Sequence, residues 1–163
     1  MKLKYLSKTN IDDHFKTMAM SLVDEIEKNN TLSELKRIKI ENLKQLITDL
    51  EDYRPKSHIK EGKMNLIKYL GHFVEIPIEK HDEAELAELE SEYILSSINN
   101  HMHKKGYTAK WVWLWGLLFL LPIDIILWIF IGEYYLYIPI ISLPYMIKQI
   151  RSEMKAKRSN RLW

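Results

Sequence analysis

The 163-residue chain is 47% apolar and 28% charged, with 24 Lys/Arg against 22 Asp/Glu and no cysteine. This length suits one ordinary domain, or a small domain with a membrane anchor, and excludes a multidomain enzyme; the missing cysteine excludes disulfides, thiolate metal sites and thiol catalysis. Charge is unevenly placed: residues 1–107 hold 17 Lys/Arg and 19 Asp/Glu, a net of −2, and residues 108–163 hold 7 and 3, a net of +4.

The opening MKLKYLSKTNIDDHF is basic but has no apolar core of signal-peptide length, so the N-terminus is expected to stay in the cytoplasm. Ile11, Phe15, Met18, Leu22 and Ile26 then recur at helical spacing after an Asn10 cap, and Asn29-Asn30 ends that helix. Thr31 and Glu34 have the spacing of a capping box, opening a second helix through Leu35, Ile38, Leu43, Leu46, Ile47 and Leu50. Arg54-Pro55 stops it, because proline disfavours helical geometry in the residue before it. A third helix, about 58–73, has Ile59, Leu66, Ile67, Leu70 and Phe73 on one side and Lys60, Lys63 and Lys68 as a solvated face. Residues 74–80 alternate like a strand, but Pro77 and the lack of a pairing strand make them an extended linker.

Asp82 and Glu85 form a second predicted capping box. From there a fourth helix reaches Lys105, with Leu86, Leu89, Tyr93, Ile94, Ile98 and Met102 inward and Gly106 as its C-terminal cap. Asp82, Glu83, Glu85, Glu88, Glu90 and Glu92 crowd its first half, where acids favour the positive helix end. They are either a plain charged surface or a docking face for a basic partner, the chain's own tail 148–161 included.

Histidine makes the strongest case for catalysis. His58-x-x-Glu61 and His72-x-x-Glu75 each set an imidazole one helical turn from a carboxylate, and His101-x-His103 precedes the apolar segment. Metal sites need three or more convergent ligands, and neither HExxH nor paired ExxH helices occur. No phosphate-binding glycine loop or nucleophile elbow is present either, so no metal, cofactor or enzymatic activity is expected.

Between Trp111 and Ile147 the only Asp, Glu, Lys, Arg or His residues are Asp124 and Glu133. At ~1.5 Å per residue, 111–131 can cross a hydrocarbon layer of ~30 Å. The shorter stretch 134–150 can do so if the Lys148 ammonium reaches the headgroups or the bilayer thins locally. The expected arrangement is a hairpin turning at Gly132-Glu133. Lys104, Lys105 and Lys110 precede it and Lys148, Arg151, Lys155, Lys157, Arg158 and Arg161 follow it, so both ends are expected in the cytoplasm. Trp111, Trp113, Trp115 and Tyr145 fall near the inner interface, and Trp128, Tyr134, Tyr135 and Tyr137 near the outer one. A bend at Pro122-Ile123-Asp124, making 111–121 a re-entrant leg, would put the basic tail outside.

An acid near a span centre costs about 2.5–3.5 kcal/mol, so Asp124 needs a partner. In the hairpin register it lies level with 141–142, which makes the Ser142 hydroxyl the candidate donor. Asp124 then serves either as a buried, protonated acid that orients the hairpin or as an ion or proton site. Pro122, Pro139 and Pro144 kink the spans. The tail KQIRSEMKAKRSNRLW is basic enough for nucleic acid, but beside a membrane anionic headgroups explain it better, with Trp163 at the interface or simply the last residue of the tail.

The expected protein is therefore an all-α membrane protein. Its parts are a cytoplasmic four-helix region (1–107), a transmembrane hairpin (108–150) and a basic cytoplasmic tail (151–163). Helical faces without a catalytic constellation point to a non-enzymatic adaptor, regulatory or accessory subunit. Its expected partners are the anionic inner leaflet, and another protein or further copies of itself, with no nucleic acid. A pore or transporter component using Asp124, and a membrane immunity-type protein, are the alternatives.

Overall fold

A computed structural model describes residues 11–95, 100–103, 105–132 and 141–163. Every regular element in them is helical, and one isolated bridge, Thr108 to Leu162, is the only β-type pairing among the described residues. The expected Asn10 cap, and Ile98, Lys104, Glu133, Tyr134, Tyr135, Tyr137 and Pro139, lie outside the described residues. The chain divides into two compact units, Met1–Lys105 and Gly106–Trp163.

In the first unit, α1 (Ile11–Asn29) buries Phe15, Ala19, Val23 and Ile26 along one line, with Met18 and Leu22 half-buried beside it. Both capping boxes form. Thr31 N donates to Glu34 Oε2 (2.6 Å) and Glu34 N to the Thr31 hydroxyl (3.5 Å); Asp82 N donates to Glu85 Oε2 (3.2 Å) and Glu85 N to Asp82 Oδ1 (2.8 Å). The expected single helix after Thr31 is two, α2 (Leu32–Arg37) and α3 (Ile40–Glu51), broken at Lys39 in the left-handed region (φ 53°). The break has a physical reason. On one straight helix Ile38 and Ile40 would face nearly opposite ways, whereas here both are buried.

α3 contributes Leu43, Leu46, Ile47 and Leu50, all with no exposed surface, each stabilising by about 1.5–3 kcal/mol. α4 (Lys60–Glu75) adds Leu66, Ile67, Tyr69, Leu70 and Phe73. Lys63 corrects the expected solvated face: it is fully buried, its ammonium 3.1 Å from Glu51 Oε2 and 4.9 Å from the centre of the Phe15 ring. Lys63 shares the i, i+4, i+7 line with Ile59, Leu66 and Leu70, and its stem packs where a hydrophobe would.

Residues 74–80 are not an extended linker. α4 continues to Glu75, and Ile78–Lys80 is a 3-10 turn that buries Ile78. The expected fourth helix begins as α5 (Glu83–Leu89), widens to π geometry over Glu90–Leu95, and reappears as α6 (Asn100–His103).

In the second unit, α7 (Val112–Ile131) packs against α8 (Ser142–Arg158). Among the described residues α7 alone is long and apolar enough to cross a membrane. Of the expected second span, 134–150, residues 134–140 lie outside the described residues, and the two-span hairpin is not confirmed. α8 starts at Ser142 and carries helix into the basic tail as far as Arg158, so a single helix is apolar in its first half and charged in its second.

Candidate functional site

Neither α7 nor α8 has a side-chain cap from its own neighbourhood. A helix N-terminus leaves backbone N–H groups without intrahelical partners, which is costly where water is scarce. Each helix supplies the other's acceptor. Asp124, buried on α7, accepts from Ile141 N (3.1 Å) and Ser142 N (3.0 Å) at the start of α8. Glu153, on α8, accepts from Trp111 N (3.1 Å) where the chain enters α7. A carboxylate at a positive helix end is also favoured by the helix dipole. The two contacts make the helices antiparallel, with Asp124 level with Ser142 and Glu153 level with the start of α7.

Asp124 therefore meets Ser142 through the backbone amide, where sequence reasoning proposed the hydroxyl. Glu153 was missed altogether. Its signal was available, because it is the only acid of the basic tail and stands opposite Trp111 in the same register that pairs Asp124 with Ser142.

Between the caps, Tyr145 packs directly on Gly116, where an added Cβ would fall 1.9 Å from the ring. Small residues allow such close helix approach. Ser142, Tyr145, Gln149, Glu153 and Ala156 form the buried or half-buried face of α8, while Leu143, Pro144, Ile147, Lys148 and Arg151 are exposed. Trp111 and Trp115 at one end of α7 and Trp128 near the other are exposed, and Trp113 is half-buried with its ring 6.1 Å from that of Trp111. The tail folds back: Trp163 N donates to Thr108 O (3.0 Å) and Lys110 N to Trp163 O (2.6 Å), and Trp163 is buried.

In the first unit the acidic run is largely engaged from within. Arg37 pairs with Glu83 (2.7 Å) and donates to the carbonyls of Ile78 (3.3 Å) and His81 (2.8 Å); Lys39 pairs with Glu90. Asp82 and Glu85 bond each other's backbone, Glu92 bonds Tyr93, and Glu88 is exposed.

His72 turns to His81 as well as towards Glu75, with the two Nε2 atoms 2.9 Å apart. Burial, then the neighbouring His81, lowers the His72 pKa, and Glu75 pulls it upward. No three His, Asp or Glu side chains converge as a metal site among the described residues. Comparison with protein-family models, curated proteins and solved structures finds no match.

Proposed function

We propose that the chain is a membrane-anchored, non-enzymatic adaptor or accessory subunit, with the helical unit meeting a protein partner at the cytoplasmic face and the α7–α8 pair as its anchor. The observation that carries this reading is the surface of α7. Leu118, Phe119, Ile129 and Phe130 are 62%, 71%, 70% and 83% exposed, while the one acid of the helix is turned inward and hydrogen-bonded. Water penalises such a surface by ~25 cal/mol per Å² of apolar area, and hydrocarbon does not. In this reading α7 crosses the bilayer, and the apolar half of α8, Ser142–Ile150, returns beside it as the second leg.

Lys105 and Lys110 on one side, and the basic second half of α8 on the other, support an inward placement of both ends. The exposed Glu88 edge of the acidic run is the part left for a basic partner. The pore reading gains no support from a carboxylate buried as a helix cap.

The cysteine-free chain makes the topology directly testable. Ser159→Cys should react with a membrane-impermeant maleimide only from the cytoplasmic side, and Gly132→Cys only from the opposite side. Native mass of the complex extracted in mild detergent should then reveal a defined unrelated chain. A ring of identical chains, or turnover of a lipid or nucleotide lost in His72→Ala, would overturn the adaptor reading.

A further inference from the structure

Leu143, Pro144, Ile147, Lys148 and Arg151 line an open groove of about 400 Å³ on α8. Three apolar side chains occupy its N-terminal end and two cations its C-terminal end. The only acid of α8, Glu153, is already bonded to Trp111 N, so α8 itself supplies no free carboxylate to these cations.

The two helix caps fix how deep this groove lies if α7 spans the bilayer. Leu143 stands level with about Ile123, close to the midplane, and Arg151 level with the first turn of α7, between Trp111 and Trp115. From Leu143 to Arg151 is about 12 Å of helix, close to the ~15 Å of one leaflet's hydrocarbon. The apolar end therefore lies at acyl-chain depth and the cations at the headgroups of the leaflet that holds the basic tail. Arg offers a fork of donors matched to phosphate oxygens, and Lys a mobile point charge.

We propose that this groove is a binding site for one anionic phospholipid, its acyl chain along Leu143, Pro144 and Ile147 and its headgroup phosphate between Lys148 and Arg151. The proposal rests on the membrane-anchored reading. It goes further by placing selectivity for anionic lipid in one groove and not in the tail's charge as a whole.

The test uses the full chain, purified in mild detergent, offered phosphatidylglycerol or phosphatidylcholine and read by native mass spectrometry. Wild type should retain one phosphatidylglycerol in preference to phosphatidylcholine. Lys148→Gln/Arg151→Gln should reduce that preference by roughly ten- to thirty-fold, the size expected of two basic groups at an anionic leaflet. Lys155→Gln/Lys157→Gln removes the same charge further along α8 and should leave it within about twofold. Equal loss in both double variants, equal retention of the two lipids, or displacement by millimolar inorganic phosphate would each overturn the site. Alkaline extraction of membranes separates this from failure of the underlying reading: a chain released from the pellet is not an integral protein, whereas a retained chain without lipid preference defeats only the groove.

Discussion

His72 Nε2 lies 2.9 Å from His81 Nε2, and His81 Nδ1 lies 3.2 Å from the carbonyl of Pro77. A carbonyl only accepts, so Nδ1 of His81 carries a proton and neutral His81 offers Nε2 as acceptor to the His72 N–H. This bond joins the end of α4 to the residue after the 3-10 turn, whose carbonyls Arg37 also holds.

The pH dependence follows from the lowered His72 pKa, set by burial first and His81 second. The unfolded chain takes up its proton near the ordinary histidine value of about 6.5, before the folded chain does. The contribution is therefore complete above that value and declines as pH falls from it towards the lower folded pKa. The melting temperature of the full chain in detergent should fall between pH 7.5 and 5.5, and His72→Gln should flatten part of that slope. An identical slope in the variant would remove the pair as its source.

Asp124 gives a prediction in which two effects have opposite signs. Asp124→Leu makes α7 easier to insert, by about 2.5–3.5 kcal/mol on insertion scales, but leaves Ile141 N and Ser142 N without their acceptor. Asp124→Asn keeps one acceptor oxygen. Stability of the α7–α8 pair should follow wild type, then Asn, then Leu, with about 1–3 kcal/mol lost at each unsatisfied amide. Thermal unfolding in detergent reads pairing apart from insertion, and a leucine variant as stable as wild type would refute the cap.

The hydrophobic stripes and both capping boxes were legible because each is a local pattern, a spacing or a pair of residues three apart. Lys63 was not, since reading lysine as polar ignores its apolar stem, even though the residue falls on the same helical line as Ile59, Leu66 and Leu70 and is fully buried. The turn at Lys39 was hidden because α2 and α3 each look helical, and only the burial of both Ile38 and Ile40 forces the break. Antiparallel register put Asp124 level with residues 141–142, but no local pattern marks Ser142 as a helix start whose amides need an outside acceptor.

Lys63 and Glu51 form an ion pair that is buried on one side only, the Lys63 side chain having no exposed surface and Glu51 retaining 26%. Removing the partly hydrated acid takes the carboxylate 3.1 Å away from an ammonium that has no exposed surface of its own. Glu51→Leu should therefore destabilise by about 3 kcal/mol, whereas Lys63→Met, which keeps the packing and lets Glu51 meet water, should stay within about 1 kcal/mol of wild type. Denaturant titration of the full chain distinguishes them, and the reverse order would show that the charge of Lys63 matters more than its stem.

Gly116 and Tyr145 make the closest approach between α7 and α8, and the clash of an added Cβ falls on the ring edge and not on backbone. Gly116→Ala gains helix propensity, about 1 kcal/mol in an exposed helix, so a loosened pair would have to come from the displaced ring. The single variant should lose pairing by about 1–3 kcal/mol, the usual effect of overpacking, and Tyr145→Ala should lose ring contacts in its own right. Combined, the two substitutions should cost less than their separate effects added together, because the small residue at 145 makes room for the methyl group. Measured as a double-mutant cycle in detergent, a coupling near zero would mean that the ring moves aside freely and that this close approach does not restrict the pair.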